Sequence, residues 1–140
     1  MVLPSNKRSS ETSVSGRILF VDDNEDTCEM IKLVLAQVGY EVAVGRCPME
    51  GLRLARTNRF DLILLDMYYS DGNGLDLCRK VREFDDRTPI FFYTGMSQDQ
   101  LVSEAIKAGA QGYFVKPVEI NTLLQTLAAQ ISPPEQDRNQ

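Results

Sequence analysis

Short apolar runs alternate with amphipathic stretches along most of this chain. Residues 17–21 (RILFV), 42–44 (VAV), 62–65 (LILL), 90–93 (IFFY) and 113–115 (YFV) have the length and character of strands. Four of the five are almost continuously apolar, the pattern of strands buried on both faces. Between the runs the period lengthens to that of a helix. Met30, Ile31, Val34, Leu35 and Val38 share a helical spacing, and Gly39 offers a stop. Leu101, Val102, Ala105 and Ile106 before Gly109 make a second stripe, and Ile120, Leu123, Leu124, Leu127, Ala128 and Ile131 a third. Residues 48–57 and 75–84 complete five helices alternating with five strands. Strict alternation over residues 17–131 predicts an α/β domain, a doubly wound (βα)5 unit with a five-stranded parallel sheet between helices. Residues 1–16 and 132–140 lack apolar period and read as flexible tails or a linker.

At 140 residues the chain suits one domain, and 43% apolar with 25% charged residues is ordinary for a protein with a packed core. No apolar run approaches the roughly 18 residues needed to cross a bilayer. The first residues carry no apolar secretory segment, so a cytoplasmic protein with no membrane insertion is expected. A net charge of −5 argues against direct nucleic-acid binding. Cys28, Cys47 and Cys78 are too widely spaced for a disulfide framework or zinc knuckle and read as packing or surface residues. The absence of histidine removes the commonest general base and transition-metal ligand, so any metal should be hard and oxygen-bound.

Ligands of doubly wound sheets bind at the carboxyl ends of the strands. There the sequence puts Asp22-Asp23 after the first strand, Asp66 after the third, Thr94-Gly95 at the fourth and Lys116-Pro117 at the fifth. Three carboxylates in one crevice repel each other unless a divalent cation is present for part of the working cycle, and Mg²⁺ suits a site of carboxylates, water and phosphate oxygens. The first β-α turn has neither G-x-x-x-x-G-K-[ST] nor G-x-G-x-x-G, and its acidic run at 22–26 would repel a nucleotide phosphate unless metal intervened. Asp66, ending the most apolar strand and followed by a Gly-containing loop, is the best-placed nucleophile toward phosphorus. Plainer roles exist for each residue. Asp22, Asp23 and Asn24 suit a helix cap, Asp66 a turn, Thr94 a strand, Lys116 the surface, Tyr113 core packing, and Tyr68-Tyr69 a loop.

The segments ILFVDDN, DLILLDMYYSDGNGLDLCRKVR, PIFFYTG and GAQGYFVKP, in that order and spacing, resemble the receiver domain of two-component response regulators over residues 17–131. The resemblance implies a flavodoxin-like receiver fold and a phosphorylation-dependent switch. Asp66 would accept a phosphoryl group from a phosphohistidine on a histidine kinase or histidine phosphotransfer protein. Asp22, Asp23, Asp66 and the backbone carbonyl of Tyr68 would hold Mg²⁺, directly or through water. Lys116 and Thr94 would contact the phosphoryl group. Thr94 and Tyr113 would relay the change to a face made by the fourth helix, fifth strand and fifth helix. Lys116-Pro117 is a candidate cis bond.

Departures from the family pattern matter as well. Tyr69-Ser70 stands where the family often has Met-Pro, so a more flexible loop is expected after the acceptor. Tyr68 and Met96, two residues beyond Asp66 and Thr94, occupy positions that tune water access to the aspartyl phosphate. Neither orients water well, which predicts slow self-dephosphorylation. Two alternative functions are an aspartyl-phosphate phosphatase or phosphotransferase, which usually has a second acid where Tyr68 stands, and a phosphorylation-independent interaction module. About nine residues after Ile131 are too few for an output domain, so a stand-alone receiver or one belonging to a longer regulator is expected.

Overall fold

The computed structural model of the protein describes residues 16–95 and 99–131. The tails expected at 1–16 and 132–140 fall outside these residues, apart from Gly16, which opens the first strand. The elements run β1 (Gly16–Val21), α1 (Glu25–Gln37), β2 (Tyr40–Gly45), α2 (Pro48–Thr57), β3 (Leu62–Leu65), β4 (Tyr68–Tyr69), β5 (Gly72–Asn73), α3 (Gly74–Arg82), β6 (Ile90–Thr94), α4 (Asp99–Ala108), β7 (Gly112–Val115) and α5 (Ile120–Gln130). Five strands form one sheet in the order β2-β1-β3-β6-β7, with every pairing parallel. The doubly wound α/β architecture is as expected. The β4-β5 hairpin, pairing Tyr68 with Asn73 and Tyr69 with Gly72, is an addition that apolar periodicity did not announce.

The apolar runs follow from the two-residue period of a strand covered on both faces. Ile18, Phe20, Leu62, Leu64, Phe91 and Tyr93 point to one side and pack with Cys28, Ile31 and Leu35 of α1 and Leu123 and Leu127 of α5. Their neighbours Leu19, Val21, Ile63, Leu65 and Phe92 point to the other, against Ala55 of α2, Leu77, Cys78 and Val81 of α3, and Ala105 of α4. Each fully buried Leu, Ile or Phe contributes about 1.5–3 kcal/mol. Shifting a strand by one residue would turn each set to the wrong helix layer. Four residues assigned to helix stripes lie elsewhere, among them Ile120 at the start of α5, which is exposed. Met30 and Ile106 are 42% and 48% exposed, and Ala128 is exposed. In α1 the buried line is Cys28, Ile31 and Leu35, since i, i+3 and i+7 face the sheet and i+2 does not.

At the amino end of the sheet, Arg82 closes the α3 terminus onto the α4-β7 turn. Its Nε and Nη2 donate to the Gly109 carbonyl at 3.0 and 2.8 Å, Nη2 also to Gln111 Oε1 at 3.0 Å, and Nη1 to the Asp85 carbonyl at 2.9 Å. Gly109 has φ +113°, and a Cβ there would meet the Arg82 side chain. Among the described residues no helix is long and apolar enough to cross a membrane.

Candidate functional site

The strand order places β1 beside β3 where the chain reverses its winding, which opens a crevice beyond their carboxyl ends. Asp22 follows β1 and Asp66 follows β3, while Thr94 ends β6 and Lys116 follows β7. The Asp66 N–H continues the ladder by donating to the Val21 carbonyl at 3.1 Å, and the Lys116 N–H donates to the Thr94 carbonyl at 2.8 Å. Sheet pairing thus fixes the backbone of all four residues. The Lys116-Pro117 bond is cis.

Lys116 joins the two acids. Its ammonium donates to Asp22 Oδ2 at 2.9 Å and lies 3.6 Å from Asp66 Oδ2. The same nitrogen sits 5.2 Å from the centre of the Tyr93 ring. Asp22 is 1% exposed, and burial pushes its carboxyl above the usual carboxylate range, against the Asn24 N–H and the Lys116 ammonium, which pull it down. Burial would lower the Lys116 pKa, yet the hydrogen bond to Asp22 and the charges of Asp66 and Asp22 outweigh it and leave the ammonium harder to deprotonate. Asp66 accepts the Met67 N–H through Oδ1 at 2.7 Å, leaving Oδ2 toward Lys116.

The acidic run after β1 divides its work. Asn24, not either aspartate, caps α1, accepting the Thr27 N–H at 2.8 Å. Asp22 accepts the Asn24 N–H at 2.9 Å, and the Cys28 thiol donates to the Asp22 carbonyl at 3.1 Å. Burial raises the Cys28 and Cys78 thiols to about 11, so both are packing groups rather than nucleophiles. Asp23 is exposed and accepts the Ser70 N–H at 3.0 Å and its hydroxyl at 3.4 Å. Among the described residues no three His, Cys, Asp or Glu side chains are grouped so as to hold a metal. The expected trio is therefore not drawn together, because Asp23 is held toward the loop while Lys116 spans the other two acids. Asp22 and Asp66, both within reach of the Lys116 ammonium, offer only oxygen donors, the kind that suits a hard cation.

The segment after Asp66 is braced, contrary to the flexible loop expected from Tyr69-Ser70. Tyr69 is buried, and its hydroxyl donates to the Val21 carbonyl at 3.0 Å while accepting the Asp66 N–H at 3.0 Å. Burial, then the negative charge of Asp66, raises its pKa far above the ordinary phenol range. Met67 is fully buried, and the Gly74 N–H donates to its carbonyl at 2.6 Å. A Cβ at Gly74 would collide with the Asp66 carbonyl and the Phe92 ring, so only glycine lets α3 start this close to Asp66. The Asp71-Gly72 pair after two aromatics was the available signal for the hairpin.

Of the remaining expected residues, Thr94 is 2% exposed. Tyr113 is half-buried with its ring centre 6.0 Å from that of Phe92, and burial, then Tyr68 and Asp66, raise its pKa. The Tyr68 side chain is 52% exposed. Met96 lies outside the described residues.

Comparison with known proteins gives a consistent result. The family model for the response regulator receiver domain matches residues 18–128. The response regulator ArlR of Staphylococcus saprophyticus is 35% identical over 115 residues, covering 82% of this chain and 52% of the relative. The transcriptional regulatory protein DltR of Streptococcus agalactiae is 36% identical over 108 residues, 77% of this chain and 48% of the relative. The chain thus spans about half the length of these two relatives. A CheY-like response regulator receiver domain protein from Methanospirillum hungatei superposes with a TM-score of 0.81 at 28% identity, covering 91% of this chain and all of that one. The chemotaxis protein CheY4 of Vibrio cholerae superposes with a TM-score of 0.79 at 31% identity, covering 83% of this chain and 98% of that one.

Proposed function

Because the chain belongs to the response regulator receiver domain family, we propose that it is a phosphorylation switch in which Asp66 is the phosphoacceptor. The observation that carries the reading is the Lys116 ammonium, at 2.9 Å from Asp22 and 3.6 Å from Asp66, which joins residues remote in sequence at the carboxyl edge of the sheet.

In the proposed reaction a carboxylate oxygen of Asp66 attacks the phosphorus of a phosphohistidine. The P–N bond breaks, its electron pair leaves with the imidazole, and the acyl phosphate remains on Asp66. These 140 residues hold no histidine, so the donor histidine lies outside them, in the proposed reading on a histidine kinase or histidine phosphotransfer protein. Asp22, Asp23, Asp66 and the Tyr68 carbonyl are the groups that would hold Mg²⁺. When bound, the cation would offset charge on the transferred group. Lys116 would turn its ammonium to the phosphoryl oxygens, and the Thr94 hydroxyl would meet another. Tyr113, against Phe92 and close enough to feel Asp66, is the side chain proposed to carry the change to the face of α4, β7 and α5. Each of these elements carries an exposed large apolar residue that a target protein could cover: Ile106, Val115 and Ile120.

The reading is tested by incubating the protein with acetyl phosphate and Mg²⁺ and locating the modification by mass spectrometry. One phosphoryl group on Asp66, absent from Asp66→Asn, is expected. No added mass on the wild type, or an unchanged gain in Asp66→Asn, overturns it.

A further inference from the structure

Tyr69 is three residues beyond the proposed acceptor and has no part in the reaction as described. Its surroundings give it one. The ring is 8% exposed, and its hydroxyl lies between the ends of two neighbouring strands. It accepts the Asp66 N–H at 3.0 Å and donates to the Val21 carbonyl at 3.0 Å, while the same Asp66 N–H reaches the Val21 carbonyl at 3.1 Å. Val21 precedes Asp22 in the chain. A single phenol therefore fastens together the backbones that carry both buried-edge acids. From the other side, the Tyr69 pairing with Gly72 holds the following turn, so the Tyr68 peptide sits between two anchors.

We propose that Tyr69 is a positioning residue for the cation side of the site, its hydroxyl holding the 66–68 segment so that the Asp66 carboxylate and the Tyr68 carbonyl face Asp22 before a cation binds. The inference rests on the reading of these groups as Mg²⁺ ligands. A group that orients ligands without touching the metal changes affinity because it removes an ordering cost from binding. The role needs a donor and an acceptor at one atom, which a phenol supplies; phenylalanine supplies neither and methionine only a weak acceptor. Burial alone does not wire a tyrosine in this way. Tyr40 is 4% exposed, yet its hydroxyl has no hydrogen-bond partner among the described residues.

That contrast supplies the control. Mg²⁺ binding is measured by calorimetric titration, without phosphodonor, for wild type, Tyr69→Phe, Tyr69→Met and Tyr40→Phe, with the metal-free melting temperature of each. Both Tyr69 variants should bind Mg²⁺ more weakly by a factor on the order of ten, and Tyr40→Phe should bind as wild type does. In acetyl phosphate labelling, Tyr69→Phe should need correspondingly more Mg²⁺ for half-maximal rate and approach the wild-type rate at saturation. Mg²⁺ affinities in the Tyr69 variants equal to wild type, even with lowered melting temperatures, overturn the inference and leave the proposed function standing. Wild type that binds Mg²⁺ but takes no phosphate on Asp66 overturns the function and leaves the positioning role to the titration. Wild type that binds no Mg²⁺ overturns the role and the ligand assignment together.

Discussion

The carboxylate of Asp23 accepts the Ser70 backbone N–H at 3.0 Å, tying the acidic turn after β1 to the hairpin that follows Asp66. Proline, frequent at this position in the family, has no N–H to give. Replacing Ser70 by Pro should free Asp23 toward Asp22 and Asp66. The lost bond is exposed and worth about 1 kcal/mol, so Mg²⁺ affinity should rise about fivefold. Ser70→Ala keeps the N–H and should stay near wild type. Calorimetric titration of both variants checks this, and equal affinities for Ser70→Pro and wild type would show that the bond does not restrain Asp23.

Lys116 is the cation that makes a buried Asp22 tolerable. Lys116→Met should destabilise the metal-free protein at pH 7 by about 2 kcal/mol, less than a fully buried pair because the lysine side chain is 26% exposed. The Asp22 pKa is raised in the fold, so protonation of Asp22 favours the folded state, and that contribution is lost as pH rises from about 4 through the raised value. The deficit of Lys116→Met should therefore shrink as pH falls toward 4. In wild type the raised Lys116 pKa contributes stability that is complete below about pH 10.4 and lost as pH rises through the folded value. Urea unfolding across pH measures both trends; a deficit independent of pH would contradict the pairing.

The half-exposed Tyr68 stands two residues from the proposed acceptor, Asp66. If it screens the acyl phosphate from water, Tyr68→Ala should lose phosphate several-fold faster than wild type after the donor is removed. Mass spectra taken over the decay give the rate, and an unchanged half-life would dismiss screening by this side chain.

Gly74→Ala should cost about 2–3 kcal/mol through the collision of its Cβ with the Asp66 carbonyl and the Phe92 ring. Since the carbonyl belongs to the proposed acceptor, labelling by acetyl phosphate should slow as well. Urea unfolding and labelling rates taken together test this, and wild-type values in both would mean that α3 can retreat freely.

Asp85 holds the α3-β6 turn by accepting the Thr88 hydroxyl at 2.6 Å and the N–H groups of Thr88 and Arg87 at 3.0 Å each. Burial acts to raise its pKa, but these bonds together lower it below the usual carboxylate range. Its stabilisation is therefore present above about pH 4 and lost as pH falls through the lowered value. Asp85→Ala should lose about 1–2 kcal/mol at pH 7 and less at pH 2, as read by thermal unfolding at the two pH values.

The strands were readable because burial on both faces leaves an unbroken apolar signature, and the four edge residues followed once those strands had ends. Residues whose fate depends on what lies opposite were not readable in this way. Tyr69 looked like a loop aromatic beside Tyr68, and only the gap between the ends of β1 and β3 decides that one ring turns inward and the other outward. Asp23 matched a ligand by position, while its orientation depends on a donor 47 residues away. Met30 and Ile106 kept the helical period but sit at the margin of their stripes, where a shift of one residue around the helix exchanges core for solvent.

The Arg82 guanidinium grips Gly109 twice and Gln111 once, all at the end of the sheet remote from the acids. If the proposed switch moves α4, these bonds would hold its Gly109 end and leave the Asp99 end the freer of the two.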